Sequence, residues 1–305
     1  MVSAVLARLS RGYEPQPLFD RRTRPIYFML GATLAAAIFA LAFFRYSISP
    51  AYRLAGWTFP ILLLGAFLAR RIGHPKIAGF LEANTLITGQ AVVIYLLLIP
   101  LAAFGAPYAD GPLSRADVAL GFNWRAYADA VALYMPVLLR AYRSFQVQPT
   151  LVLLLLFWTG RDDRAWQFVT ASIFALFVTA FLFPFVPAKG AFAYYGVTDY
   201  SALSAKGEWM SFEVLDHIRS GARYIDNRAL GGIVSFPSFH TVMAVLLTWA
   251  AWPTWARYPI LLLNVLMVAA AVVCGSHYLI DIIGGALLAL LSIFVVTRNY
   301  VVTPA

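Results

Sequence analysis

The sequence predicts an all-α integral membrane protein, a polytopic bundle of six to eight transmembrane helices. Composition is the first reason. The 305 residues are 61% hydrophobic and 12% charged, with a mean hydropathy of +0.75, whereas a soluble domain carries roughly a quarter charged residues. The second is that the apolar residues are gathered into runs, several near or above the ~18 residues that mark a spanning helix. The formal net charge of +9 fits the same class. Lys and Arg concentrate in the connecting segments, where they set membrane orientation, so no nucleic-acid partner is implied.

Residues 1–25 read as a basic, proline-broken cytoplasmic tail. Arg8, Arg11, Arg21, Arg22 and Arg24 hold it inside, against anionic lipid. No cleavable secretion signal is expected, because the first apolar run, Ile26–Phe44, starts only after these arginines and is long enough to remain an anchor. A shorter run, Trp57–Ala69, ends in Arg70-Arg71, and a third span is expected over Thr85–Phe104. Gly105–Asn123 reads as a polar connection. Ala130–Leu139 and Thr150–Trp158 are apolar around a polar interruption at 140–146. They form either one span with buried polar groups or an interfacial helix followed by a span.

Arg161–Arg164 is a polar turn, and Trp166–Val186 spans again. The longest hydrophilic stretch, 187–236, balances Lys189, Lys206, Arg219, Arg223 and Arg228 against Asp199, Glu208, Glu213, Asp216 and Asp226. Pro237–Trp252, Tyr258–Cys274 and Tyr278–Val296 complete the chain. There is no repeat, so residues 26–300 read as one transmembrane domain. The single cysteine, Cys274, excludes an intrachain disulfide and ends an apolar run, where packing accounts for it.

With the tail inside and each run crossing once, the connections at 70–84, 159–165 and 253–257 and the C-terminus are cytoplasmic. The 187–236 loop is then extracytoplasmic. So are two short polar interruptions, Phe236-Pro237-Ser238-Phe239-His240-Thr241 and Ser276-His277-Tyr278-Leu279-Ile280-Asp281. Ionisable groups at the edge of a bilayer are costly and mark function. His277 and Asp281, four apart on one helix, would share a face. Pro237 suits a first helical turn, and the amides of that turn, with the Ser238 hydroxyl, suit an anion. His240 is then a proton donor to a leaving oxygen. His277, held in one tautomer by Asp281, is a nucleophile or base. Cradling, attack and protonation together describe phosphoryl transfer.

These two motifs, with Gly284-Gly285 after the second, resemble the second and third motifs of the type 2 phosphatidic acid phosphatase superfamily. More closely they resemble its inositol phosphorylceramide synthase-like branch, where Phe-Pro-Ser-x-His and His-Tyr-x-x-Asp recur. The resemblance implies a six-helix catalytic core in the cell membrane. It implies His277 as nucleophile, Asp281 as its orienting group, His240 as the acid and Ser238 as a phosphate ligand, with neither metal nor cofactor. The substrate it implies is a phospholipid, a sphingolipid or a polyprenyl phosphate drawn from the membrane lipids. Attack by water on the phosphohistidine makes a lipid phosphatase; attack by an alcohol makes a head-group phosphotransferase.

The chain departs from the common superfamily pattern at three places. Phe239 replaces a glycine, Ala271 stands where an arginine precedes the nucleophile, and the first, Lys- and Arg-bearing motif is absent. Phosphate charge must be met elsewhere, by Lys189, Arg219, Arg223 or Arg228. Arg140 and Arg143 share a helix face, where snorkelling to head groups is the plain reading and a phosphate contact the sharper one. A two-histidine, one-carboxylate metal site would leave the Pro-Ser prefix without a role. A lipid transporter or scaffold without chemistry would leave both histidines without one. His74 and His217 read as structural.

Overall fold

The computed structural model describes residues 23–103, 106–197, 211–226 and 232–299; residues 1–22 of the basic tail and Arg228 lie outside them. Apolar helices dominate. Helix α1 spans Arg24–Phe43, with Pro25 in its first turn, where a missing N–H costs nothing. Helices α2 (Pro50–Gly56) and α3 (Thr58–Arg71) run nearly end to end, and α4 spans Pro75–Ala103. Six stretches are long and apolar enough to cross a membrane: α1, α2–α3, α4, α9 (Asp162–Leu182), α13 (Arg257–Cys274) and α14 (Leu279–Asn299). Two shorter apolar helices, α8 (Gln148–Trp158) and α12 (Phe239–Ala251), accompany these six among the described residues. The fold is the all-α, multi-pass membrane architecture that composition implied.

Helix α9 lies at the centre, packed against α4, α12 and α14. Its buried Phe168, Val169 and Ile173 meet Leu153 and Leu156 of α8 and Leu246 and Leu247 of α12. Helices α1 and α3 flank this core, to which α1 contributes Ile26, and expose Phe28, Phe39, Ile61 and Leu64, the aliphatic and aromatic surface expected of a helix facing lipid.

Three expected boundaries are corrected. Helix α4 begins at Pro75, ten residues before the expected Thr85. Glu82, in the part that was read as a connection, is 1% exposed. It accepts the Tyr27 hydroxyl at 2.7 Å and pairs with the Arg70 guanidinium, so its charge is compensated where it is buried. The supposed connection 105–123 contains a helix, α5 (Asp110–Ala119). The ambiguous 124–158 region is divided more finely than expected. It breaks into α6 (Trp124–Val131), a 3-10 turn, α7 (Met135–Arg143), a second 3-10 turn and α8. Pro136 and Pro149 sit in the first turns of α7 and α8, and neither could continue a preceding helix without losing a hydrogen bond.

The hydrophilic stretch after α9 carries α10 (Ala191–Tyr195) and α11 (Ser211–Arg219). Beyond α11, Tyr224–Ile225 (β2) pairs in parallel with Ser47–Ile48 (β1), Ser47 opposite Tyr224. This ties the segment to the end of α1.

Candidate active site

Two helix beginnings meet at one end of the bundle. The first is that of α12. Ser238 is its N-cap and fully buried; its Oγ accepts the Thr241 amide at 3.5 Å and the Thr241 hydroxyl at 3.2 Å. Pro237 therefore precedes the cap instead of occupying the first turn, and its bond to Phe236 is cis. His240 is the second residue of α12.

The second beginning is that of α14. His277 is 3% exposed and lies in the turn before the helix, not on it. The contact that helical spacing suggested is nonetheless made: Nδ1 lies 3.3 Å from Oδ2 of Asp281. The same oxygen accepts the Tyr278 amide at 3.0 Å and the Ser235 hydroxyl at 2.7 Å. An acidic third residue reaching back to the amide just before its own helix is half of a capping box. The Asp281 carbonyl accepts the Ser238 amide at 3.0 Å, a direct main-chain link between the motifs.

The two imidazoles lie 6.4 Å apart, centroid to centroid. A nucleophile approaches its target to about 3–3.5 Å and an acid sits about 2.6–3.2 Å from its oxygen, so this separation admits one phosphoryl group. Asp281 stands behind His277 and does not converge with the two rings on a common point. Among the described residues no group of three His, Cys, Asp or Glu side chains is arranged to hold a metal ion.

The close approach depends on glycines. A Cβ at Gly285 would lie 2.4 Å from the Ser238 carbonyl oxygen, and one at Gly190, whose φ is +97°, 2.7 Å from the Ser276 carbonyl oxygen.

The sequence matches the family model described as PAP2 superfamily over residues 111–295, more than half of the chain. The chain belongs to the PAP2 superfamily. Comparison with curated proteins and with solved structures returned no match. Membership supports a phosphatase- or phosphotransferase-type enzyme acting on lipid phosphates, and the matched range contains both motifs.

In this PAP2 superfamily chain the expected cations fall in different surroundings. Lys189 is placed beside the motif by its backbone, since Gly190 packs on Ser276. Its Nζ instead pairs with Asp216 at 2.7 Å. Arg219 donates to the carbonyls of Ala102 and Ala106 at 3.1 and 3.2 Å and lies over the Tyr108 ring at 4.0 Å, pinning α11 to the end of α4. Burial pushes the Tyr108 hydroxyl up to about 12 despite this guanidinium. Arg140 is exposed, whereas Arg143 is half-buried and its charge acts on Cys274, three residues before His277.

Several residues that hold the site carry no local signal. Asp117 accepts the amides of Leu279 and Ile280 at 2.8 and 2.9 Å, capping α14 from another helix; burial raises its carboxyl above the ordinary value. Asp110 accepts the amides of Lys189 and Gly190 and the Tyr278 hydroxyl. Trp124 donates its indole N–H to the His277 carbonyl at 3.2 Å. Ser276, at a φ of +57°, accepts Ala191 and Phe192 amides, each at 2.8 Å. The turn bearing His277 is therefore held from α5, α6 and α10 at once.

Proposed function

We propose that this protein cleaves the phosphate ester of a membrane lipid through a phosphohistidine on His277. The observation that carries the reading is the 6.4 Å pairing of two imidazoles, one of them backed by a buried carboxylate. With Nδ1 directed at Asp281, Nε2 is the nitrogen left to attack phosphorus. As the P–N bond forms, the P–O bond to the lipid alcohol breaks, and its electron pair takes a proton from His240. Asp281 stabilises the positive charge that develops on His277. His240, now neutral, takes a proton from water as that water attacks phosphorus and the P–N bond breaks. Ester and water become alcohol and phosphate, and both histidines return to their starting state.

The phosphate's charge is the remaining requirement. We assign it to Lys189 and the field of Arg143, with the amides and hydroxyl at Ser238 binding phosphate oxygens. The Lys189–Asp216 pair is 30% and 51% exposed; surface pairs of this kind contribute about 0–1 kcal/mol, so a phosphate dianion competes for the ammonium. The carbonyl bonds of Arg219 favour a structural role. The site opens on the extracytoplasmic face of the cell membrane in this reading, because the basic tail is the cytoplasmic segment.

The likeness of both motifs to the inositol phosphorylceramide synthase-like branch keeps a second outcome in view: a lipid or polyol hydroxyl in place of water would make a head-group phosphotransferase. One experiment covers both. The purified protein is given a lipid phosphate labelled at phosphorus, with and without added alcohols, and quenched for acid-labile phosphoprotein. Label on the wild type and none on His277→Ala is expected, with phosphate released in step with substrate loss. Turnover persisting in His277→Ala would refute the nucleophile. Label transferred to alcohols in place of phosphate release would make it a transferase.

A further inference from the structure

The two histidines are held by different means. His277 is oriented by a carboxylate. Among the described residues no group hydrogen-bonds a ring nitrogen of His240, and the last torsion of a histidine is intrinsically broad. What lies against His240 is aromatic. The Tyr142 ring stacks on it with centroids 4.0 Å apart and planes 17° apart, and the Phe145 ring lies 4.6 Å away, tilted by 44°.

Tyr142 comes from neither motif. It sits near the end of α7, which packs along α13 with Leu138 and Ala141 buried, and the neighbouring α6 is anchored by the Tyr127 hydroxyl to the Ala269 carbonyl at 2.9 Å. Its hydroxyl reaches the small space beside Gly275 that His277 also borders. A Cβ at Gly275 would lie 3.0 Å from that hydroxyl and 2.7 Å from Cδ2 of His277. Tyr142 thus spans the gap between acid and nucleophile, on a helix packed along α13.

We propose that Tyr142 is a positioning residue for the proton donor: its ring, stacked face to face on His240, sets the plane from which that imidazole protonates the departing oxygen. This rests on the phosphohistidine reading, in which His240 is the acid. Parallel rings at van der Waals distance prefer an offset stack, which restricts rotation of the imidazole without consuming either nitrogen. A hydrogen bond would have consumed one.

The test uses two phosphomonoesters of similar size, one releasing an alkyl alcohol and one releasing nitrophenol, which departs without a proton. The quantity is kcat/KM, which spans only the steps up to the phosphoenzyme. His240→Ala is expected to lose about 100-fold or more on the alkyl ester and little on the nitrophenyl ester, the signature of general acid catalysis. Tyr142→Leu should lose about tenfold on the alkyl ester, the population shift one lost ring stack corresponds to, and less than about twofold on the nitrophenyl ester. Tyr142→Phe, which keeps the stack, should stay within about twofold of wild type on both. Equal losses on the two esters, no loss on either, or a Phe variant as impaired as Leu would overturn the proposal. If His240→Ala shows no leaving-group dependence, His240 is not the acid and the reading beneath the proposal fails first.

Discussion

A single methyl group at Gly285 tests the whole arrangement. Gly285 lies on the face of α14 that meets the start of α12, where a Cβ would sit 2.4 Å from the Ser238 carbonyl oxygen and 3.0 Å from the Thr241 Cβ. Ordinary van der Waals contact begins near 3.4 Å, and close-packed interiors have no slack to absorb the difference, so the two helix beginnings must part by about 1 Å. The obstructing atom is main chain and cannot rotate aside. The Ser238 amide that donates to the Asp281 carbonyl at 3.0 Å is pulled away by the same movement, which carries it past hydrogen-bond range.

Overpacking of this kind costs about 1–3 kcal/mol, partly offset by about 1 kcal/mol of helix propensity gained on replacing Gly by Ala. The protein therefore still folds. Activity is more sensitive: a displacement of ~1 Å at a reacting centre costs about 100-fold. Gly285→Ala is expected to lower kcat/KM for phosphate release from a short-chain lipid phosphate by about that factor, while thermal unfolding in detergent stays cooperative. Gly31→Ala is the control, since nothing lies within 4 Å of a Cβ there, and it should leave activity at the wild-type level. Wild-type kcat/KM in Gly285→Ala would refute the reasoning, because it would mean that the approach of α12 to α14 does not bring His240 to His277.

Ser235→Ala removes the 2.7 Å hydrogen bond to Asp281; a bond to a charged partner contributes about 1.5–3 kcal/mol, and kcat should fall about tenfold or more, measured in the same assay. If Lys189 exchanges Asp216 for phosphate, Lys189→Ala raises KM and Asp216→Ala lowers it, each a few-fold in steady-state kinetics at low salt. Asp117→Ala strands the amides of Leu279 and Ile280 and should cost roughly 2–4 kcal/mol by denaturant titration, with Asp117→Asn costing about half. Because burial raises the Asp117 carboxyl, the folded state binds its proton more readily than the unfolded chain does. Wild-type stability then falls as pH rises from the ordinary carboxylate value to the raised one, and the Asn variant lacks that slope. Glu82→Gln leaves the 12%-exposed Arg70 side chain without its counter-charge and should cost about 3–5 kcal/mol, seen as a lower unfolding midpoint with kcat intact.

Residue order alone was enough for properties that depend on neighbours along the chain. Long apolar runs must become helices in lipid, because only a helix satisfies its own backbone there. The four-residue step from His277 to Asp281 brings those side chains together whether or not His277 is itself helical. Hydropathy located the spans, and two polar interruptions of unusual chemistry located the motifs. Distance along the chain hid the rest. Asp117 caps a helix 162 residues away, Trp124 steadies a carbonyl 153 residues away, and Ser235 holds a carboxylate 46 residues away. Tyr142 reaches His240 from a segment that hydropathy read as an interruption. Glu82 sat where a span was not expected to begin until Tyr27 and Arg70 arrived from two other helices. These partners are chosen by how α5, α6, α7 and α10 pack around the motif turns. Packing is a property of complementary surfaces, which no stretch of one helix carries alone.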